Sequence, residues 1–408
     1  MIQRVIRIAM IVIMILGILF SISNFIAPRK IKAFSIRGVW VDGECMGDGN
    51  ECDIGWGFEE DIGTTTSFEF SIKLQEKIEI SPGLKLLPKP QAFCVTEDDL
   101  LILPDQKAGD IKIYKKNGNF LELTKTLGGK EDAPGEFVEP KFCYYNRDKE
   151  KAKFGVMDFG AKKIFIHDRI GRTEFELVME VPCREYVTDI QIQGDKLFVS
   201  GFKADKDLKP YDLYYISIPS DQTTFLLPSF YKYGLTSIEE YKSKYPKKTD
   251  IENIGLYARF DVYGDNVYFV WEGDLRIIKL NFKTKGLNFF GKKPNHYVKP
   301  YPSEKPSEGK EKRNFDITIK ENAEMSFLRD IFVNSKCILV IYEGPASQNE
   351  VSNFWLQFYN LDGDFINEVL MPGKHDPGMW FDKDKDILYS LSNDKGKYYI
   401  LKYKITSD

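Results

Sequence analysis

The residues best placed to do chemistry in this sequence are acids that close short apolar runs. Asp105, Asp158, Glu272 and Glu343 each end a stretch of strand-forming residues, with Gly201 and Asn393 at the matching positions of two further stretches. Carboxylates gathered at one opening focus negative potential and would hold a cation, Ca²⁺ among them, or a basic peptide. Each acid also has a local use, because a carboxylate at the end of a strand caps the following turn by accepting backbone N–H bonds. Capping is the expected role of most of them. The ring of Asp105, Asp158, Glu272, Glu343 and Asn393 is the candidate ligand site.

Other chemistry is in short supply. The three histidines are scattered: His167 closes an apolar run, His296 lies in a polar stretch and His375 stands beside Asp376 in a Gly/Pro turn. No G-x-S-x-G elbow, phosphate loop or dinucleotide fingerprint is present. The six cysteines include no C-x-x-C pair and no zinc spacing. Cys45 and Cys52 stand close together in an acidic, Gly-rich stretch, where a small disulfide ring would suit an oxidising compartment. Cys94, Cys143, Cys183 and Cys337 sit singly in apolar runs and are expected as buried free thiols. The acids between residues 38 and 66 lack the spacing of a Ca²⁺ loop, so that stretch reads as a solvated linker. Trp271, Trp355 and Trp380 are expected to pack between sheets rather than to form a ligand platform.

The elements that must position the acids are strands. Residues 68–80, FEFSIKLQEKIEI, alternate apolar and polar side chains, the period of a half-buried strand. From residue 92 onward short strands come in groups of four, over 92–127, 141–181, 187–227, 258–290 and 327–370. A last group, 379–405, has only three. Strand 68–80 is expected to supply the missing fourth by pairing beside 398–405, closing a ring and removing exposed sheet edges. Polar insertions interrupt the repeat at 229–257 and 291–325. In the first, Thr236-Ser237-Ile238-Glu239 has the capping-box pattern that opens a short helix. The second is rich in Lys, Pro and Ser and reads as a solvated loop, with contact to an anionic membrane surface as its alternative.

A resemblance attaches to one of these groups. The run Gly128-Gly129, Ala133-Pro134-Gly135-Glu136-Phe137 and Pro140, followed by Phe154-Gly155-Val156-Met157-Asp158 and Lys163-Ile164-Phe165-Ile166-His167-Asp168, resembles the NHL-type six-bladed β-propeller family. The likeness extends in part to 100–127 and is only a strand pattern from 186 onward. It implies a propeller in which Gly and Pro turn the chain from the outer strand of one blade to the inner strand of the next, with Phe137 filling the seam. Some NHL-like propellers are metal-dependent lyases with several His ligands, which three scattered histidines do not supply. A shared fold of this kind implies no particular activity.

The expected fold class is therefore all-β: a six-bladed β-propeller of four-stranded antiparallel blades over 68–408. A single N-terminal hydrophobic helix precedes it. Residues 1–30 carry Arg4 and Arg7 before the apolar run 8–20, which continues to Ala27 and approaches the ~20 residues that span a bilayer. A transmembrane anchor is expected there, a cleaved signal peptide being the alternative. Arg29, Lys30, Lys32 and Arg37 nearly cancel the positive-inside bias. Residues 31–67 form the acidic linker. The expected location is the cell membrane, single-pass, with the C-terminal domain extracytoplasmic, or secreted or periplasmic if the segment is cleaved.

With 57 Lys+Arg against 61 Asp+Glu over 408 residues, the net charge of -4 excludes a general nucleic-acid binder. The functional expectation is a non-enzymatic binding or scaffold module for a protein, peptide or glycan. Its alternative is a Ca²⁺-dependent hydrolase or lyase acting at the acidic opening.

Overall fold

The computed structural model describes residues 69–80, 92–128, 136–146, 152–183, 187–204, 210–218, 220–229, 258–271, 276–292, 294, 326–346, 352–376 and 378–407, together with 40–41 and 44–45. The proposed N-terminal helix, Cys52 of the proposed Cys45–Cys52 ring and the bulk of both polar insertions lie outside these residues. Near the N-terminus, β1 (Trp40–Val41) and β2 (Glu44–Cys45) make a short antiparallel ladder by themselves. No helix among the described residues is long and apolar enough to cross a membrane.

The chain then runs through β3 (Phe70–Ile80) and a succession of antiparallel meanders. The first comprises β4 (Cys94–Val95), β5 (Leu101–Asp105), β6 (Asp110–Asn117) and β7 (Phe120–Leu127). The second comprises β8 (Pro140–Asn146), β9 (Lys153–Asp158), β10 (Lys163–Arg169) and β11 (Phe175–Pro182). In the third are β12 (Val187–Gln193), β13 (Lys196–Ala204), β14 (Pro210–Ser217) and β15 (Gln222–Pro228). The fourth has β16 (Ala258–Tyr263), β17 (Asn266–Trp271), β18 (Ile277–Asn281) and β19 (Leu287–Phe290). The fifth has β20 (Phe327–Val333), β21 (Ile338–Ala346), β22 (Ser352–Tyr359) and β23 (Phe365–Leu370). The chain closes with β24 (Met379–Asp382), β25 (Ile387–Asp394) and β26 (Lys397–Ser407).

The second to fifth meanders are separate four-stranded sheets, whereas the first and last belong to one eight-stranded sheet in the order β24-β25-β26-β3-β7-β6-β5-β4. Strand β3 is the joint. It pairs antiparallel with β26 from Phe70 opposite Ser407 to Glu79 opposite Tyr399, so the early strand does complete the last sheet. At its far end it also makes a short parallel ladder with β7, Glu79 opposite Phe120 and Ile80 opposite Leu121. The alternation read in 68–80 has the expected outcome at the strand's ends, where Phe70, Ile78 and Ile80 are buried. A strand that bonds the last sheet to the first leaves neither as a free edge.

Apolar side chains fuse the sheets into a circle. One core joins the first and second meanders and also takes in Trp380, Ile387, Tyr389, Leu391 and Ile400 of the last. The next three join second to third, third to fourth and fourth to fifth. A fifth core joins the fifth meander to β24–β26 and β3. Sheets that pack face to face in succession and return to the first form a β-propeller.

The junction that carries the NHL resemblance shows why its residue types are needed. Phe137 is buried between the first two sheets and meets Phe165 edge-on, with ring centroids 5.2 Å apart. Gly128 has φ +75, and a Cβ there would stand 2.5 Å from Phe137 Cδ2. Only glycine satisfies both the left-handed backbone and the close ring. The first meander's hairpin turns at Gly118-Asn119, with Asn117 opposite Phe120. Gly118 supplies the positive φ at the first central position of this turn.

Candidate functional site

The first strands of the meanders surround a cavity of about 430 Å³, within the size range of small-ligand sites. Strand geometry decides what faces it. In β16, Arg259, Asp261 and Tyr263 line the cavity, while the alternate residues Phe260 and Val262 enter the core between sheets. In β12, Asp189, Gln191 and Gln193 face in, whereas Ile190 enters the apolar core. In β20, Asp330 and Phe332 face in, and Ile331 and Val333 are core. A period of two thus puts polar groups on the cavity side of strands whose other side is apolar.

The three cavity acids, Asp261 buried and Asp189 and Asp330 half-buried, differ in how fully they are satisfied. Asp261 is 1% exposed and saturated: Val262 N–H (2.8 Å) and Lys383 Nζ (2.6 Å) donate to Oδ1, and Val333 N–H donates to Oδ2 (2.5 Å). Lys383 reaches it from the turn between β24 and β25, so this ion pair spans from the last sheet to the fourth across the fifth. Asp189 accepts Ile190 N–H at 2.9 Å and Phe260 N–H at 3.5 Å. Among the described residues, Asp330 accepts only Ile331 N–H, at 2.9 Å on Oδ1. Among the described residues, neither Asp189 nor Asp330 has a cation within ion-pairing distance.

Their proton affinities follow. Burial pushes the Asp189 carboxyl up to about 6, opposed by the charge of Arg259. Burial raises Asp330 well above the usual carboxylate range, and neighbouring Asp189 and Asp261 add to the effect, while Arg259 opposes it. Asp261 is also raised by burial, against the pull of Lys383. Arg259 donates to the Thr188 carbonyl and lies over the Phe142 ring at 5.1 Å. One guanidinium is therefore the nearest compensation for two carboxylates. Gln191 ties β12 to β16, donating to Phe260 O (2.6 Å) and accepting from Val262 N–H (3.1 Å). Aromatic rings complete the wall. Tyr144 meets Trp380 at 5.6 Å and Phe332 meets Phe381 at 5.8 Å.

The acids singled out in the sequence lie elsewhere. Asp158 is fully buried and accepts three backbone N–H bonds, from Val138 (2.6 Å), Glu139 (3.0 Å) and Ala161 (2.8 Å). Asp105 accepts Ala108 N–H and pairs with Lys112. Glu343 pairs with Arg329 at 2.5 Å, and Asn393 accepts Gly396 N–H. Glu272 lies outside the described residues. Asp158 stands opposite Pro140 at the start of β8, and Glu343 opposite Phe327 at the start of β20. The cavity is rimmed instead by the turns that follow the first strands, at Gly194, Gly264 and Asp384. None of Asp105, Asp158, Glu343 or Asn393 lines it.

The remaining candidates are packed. His167 and His375 are buried, and burial lowers both to about 4. His375 bonds Ser390 Oγ and the Pro372 carbonyl. Trp271 donates to Asp212 and Trp355 stacks with Tyr342, as expected of packing residues. Trp380 packs in the core that joins the first, second and last meanders, and also lines the cavity. Cys94, Cys143, Cys183 and Cys337 are buried free thiols, as their apolar settings suggest. Among the described residues no group of three His, Cys, Asp or Glu is placed to hold a metal ion.

No family model matches this sequence, and no curated protein matches it. Solved structures are similar at low identity. Hydrazine synthase of Kuenenia stuttgartiensis shares 11% identity at a TM-score of 0.42, covering 76% of each chain. The WD40 repeats of RRP9 share 9% at 0.46, covering 82% of this chain and 100% of that one. Virginiamycin B lyase from Staphylococcus aureus shares 9% at 0.40, covering 82% and 99%.

Proposed function

We propose that this chain is a six-bladed, NHL-like β-propeller that acts as a binding module, taking a cationic group into its central cavity. The two halves of the eight-stranded sheet count as separate blades, the last completed by β3. The ligand chemistry is an ammonium or guanidinium, as presented by a lysine or arginine of a protein or peptide partner.

The observation that carries this is the imbalance in the cavity wall. Asp189 and Asp330 share the field of Arg259 alone, and Asp330 Oδ2 accepts no hydrogen bond from any described residue. A half-buried carboxylate with one protein donor and an oxygen open to the cavity favours a proton or a cation there. Rings of Phe93, Tyr144, Tyr145 and Trp380 on the same wall suit a cation by their negative faces. A Ca²⁺-dependent hydrolase or lyase is the second reading, which the Ca²⁺ arm of the test addresses. The basic, apolar N-terminal segment supports an extracytoplasmic, membrane-held placement, in which the partner would be external.

The test is calorimetric titration of the purified chain with putrescine at pH 8, with CaCl₂ as a parallel arm. Putrescine should bind, and Asp330→Asn should weaken it at least tenfold, while Asp105→Asn leaves it unchanged. No putrescine binding, or equal binding by Asp330→Asn, overturns the assignment. A Ca²⁺ affinity lost in Asp330→Asn without amine binding transfers the site to a divalent cation.

A further inference from the structure

Two of the four buried thiols are not isolated. Cys94 on β4 and Cys143 on β8 belong to neighbouring sheets, and their sulfurs are 3.5 Å apart. Cys143 Sγ is held there by a second contact, donating to the Ile102 carbonyl at 3.8 Å. Ile102 is the residue paired with Cys94 across the β4–β5 ladder. The Cys143 sulfur therefore sits over the same rung that carries its partner. Cys183 and Cys337 are in other cores, Cys183 between the second and third meanders and Cys337 between the fifth and the last.

Closure from this contact to a bond of about 2.05 Å asks for an approach of about 1.5 Å, shared between two side-chain rotations. Cys143 also lines the cavity, whereas Cys94 is fully buried. A small oxidant in the cavity is therefore beside Cys143 and farther from Cys94. That asymmetry assigns the roles of attacked and resolving thiol.

We propose that Cys94 and Cys143 are a redox pair that closes to a disulfide across the seam between the first two blades, with a hydroperoxide as oxidant. The Cys143 thiolate attacks the peroxide O–O bond, giving a sulfenic acid and, with one proton, water. Cys94 then attacks the Cys143 sulfur. The S–S bond forms, the S–O bond breaks, and the oxygen leaves as a second water carrying the Cys94 proton. Two thiols and one hydrogen peroxide thus give one disulfide and two waters. The bond would add a covalent tie between two sheets already joined by packing and by the Arg169–Glu97 and Arg169–Asp98 ion pairs, next to Tyr144 and Tyr145 of the cavity wall.

The test needs no variant for its first step. The folded chain is treated with one equivalent of hydrogen peroxide, free thiols are blocked with iodoacetamide in denaturant, and the unreduced digest is mapped by mass spectrometry. A linked peptide pair containing Cys94 and Cys143 is expected, with Cys183 and Cys337 recovered alkylated. In Cys94→Ser the intermediate has no resolving thiol, so Cys143 should be trapped as a dimedone adduct. Recovery of Cys94 and Cys143 as separate alkylated peptides from the wild-type chain overturns the proposal. So does scrambled linkage of either residue to Cys183 or Cys337. Because the wild-type map decides, a failure of Cys94→Ser to fold leaves the proposal falsifiable.

Discussion

Asp158 and Asp330 are both acids enclosed by the same ring of sheets, and they are used in opposite ways. Asp158, in the junction between the first two sheets, receives three backbone N–H bonds and has no need of anything further. Asp330, on the cavity wall, receives one. A carboxylate surrounded by fixed donors is part of the scaffold, because its charge is compensated by the fold itself. One left half-buried on the cavity wall with a single donor is open to completion by something outside the chain. The contrast between the two acids separates structure from candidate function more sharply than burial does.

The largest test of that contrast is to remove each acid. Asp158→Ala strands three backbone N–H groups that had donated charge-assisted bonds to the carboxylate and should cost about 4 kcal/mol in urea unfolding. Asp330→Asn should leave stability unchanged or raise it by about 1 kcal/mol, since it deletes an uncompensated charge and no ion pair. If the two variants lose stability equally, the division between scaffold acid and cavity acid fails. Gly128→Ala tests the scaffold side independently. Its Cβ would meet the Phe137 ring at 2.5 Å from a left-handed backbone, so a loss of about 2 kcal/mol is expected by the same measurement.

The scaffold was legible because its residue types have single uses. Gly128, Phe137 and Asp158 form a local pattern that one blade displays nearly complete, and the alternation of 68–80 announced a strand in need of a partner. The pairing of β3 with β26 follows from counting three strands where four are needed. What counting does not reveal is the parallel contact of β3 with β7, which depends on how far the strand extends past its partner. The cavity was harder to see. Acids at the ends of second strands are conspicuous, yet Asp158 and Asp105 end at turns that consume them. The informative acids lie inside first strands, in TDIQIQ, RFDVY and RDIFV, where polar residues alternate with core residues. Such alternation normally marks a strand with one face in bulk water. Here the polar face looks inward, a fact fixed by closure of the ring and by nothing local.

A smaller effect should appear in the pH dependence of the ligand-free chain. Asp189 binds its proton up to about 6 when folded, against 3.8 for an unburied carboxyl. The stability it contributes is present in full below pH 3.8 and is lost as pH rises through about 6, because the unfolded chain ionises first. The loss amounts to about 2 kcal/mol between pH 4 and pH 7, and Asp189→Asn should flatten that part of the profile. Putrescine should act in the opposite sense, stabilising most above pH 6, where the carboxylate is ionised. A stability profile that rises between pH 4 and pH 7 and is unaltered in Asp189→Asn would place Asp189 with the satisfied acids.

The smallest effect concerns Lys383, which is the chain's own amine in the cavity. It pairs with Asp261 while remaining 30% exposed, so its partner is deep and it is not. Asp261 keeps two backbone N–H bonds without it, and Lys383→Gln should therefore cost only about 1 kcal/mol of stability. Removal of one positive charge from the wall should strengthen binding of an added amine several-fold, close to 1 kcal/mol in affinity. If Lys383 instead positions the ligand, the same variant weakens binding. The sign of that change in a putrescine titration at pH 8 distinguishes a competing internal cation from a recognition residue. A cavity selective for cations requires the first.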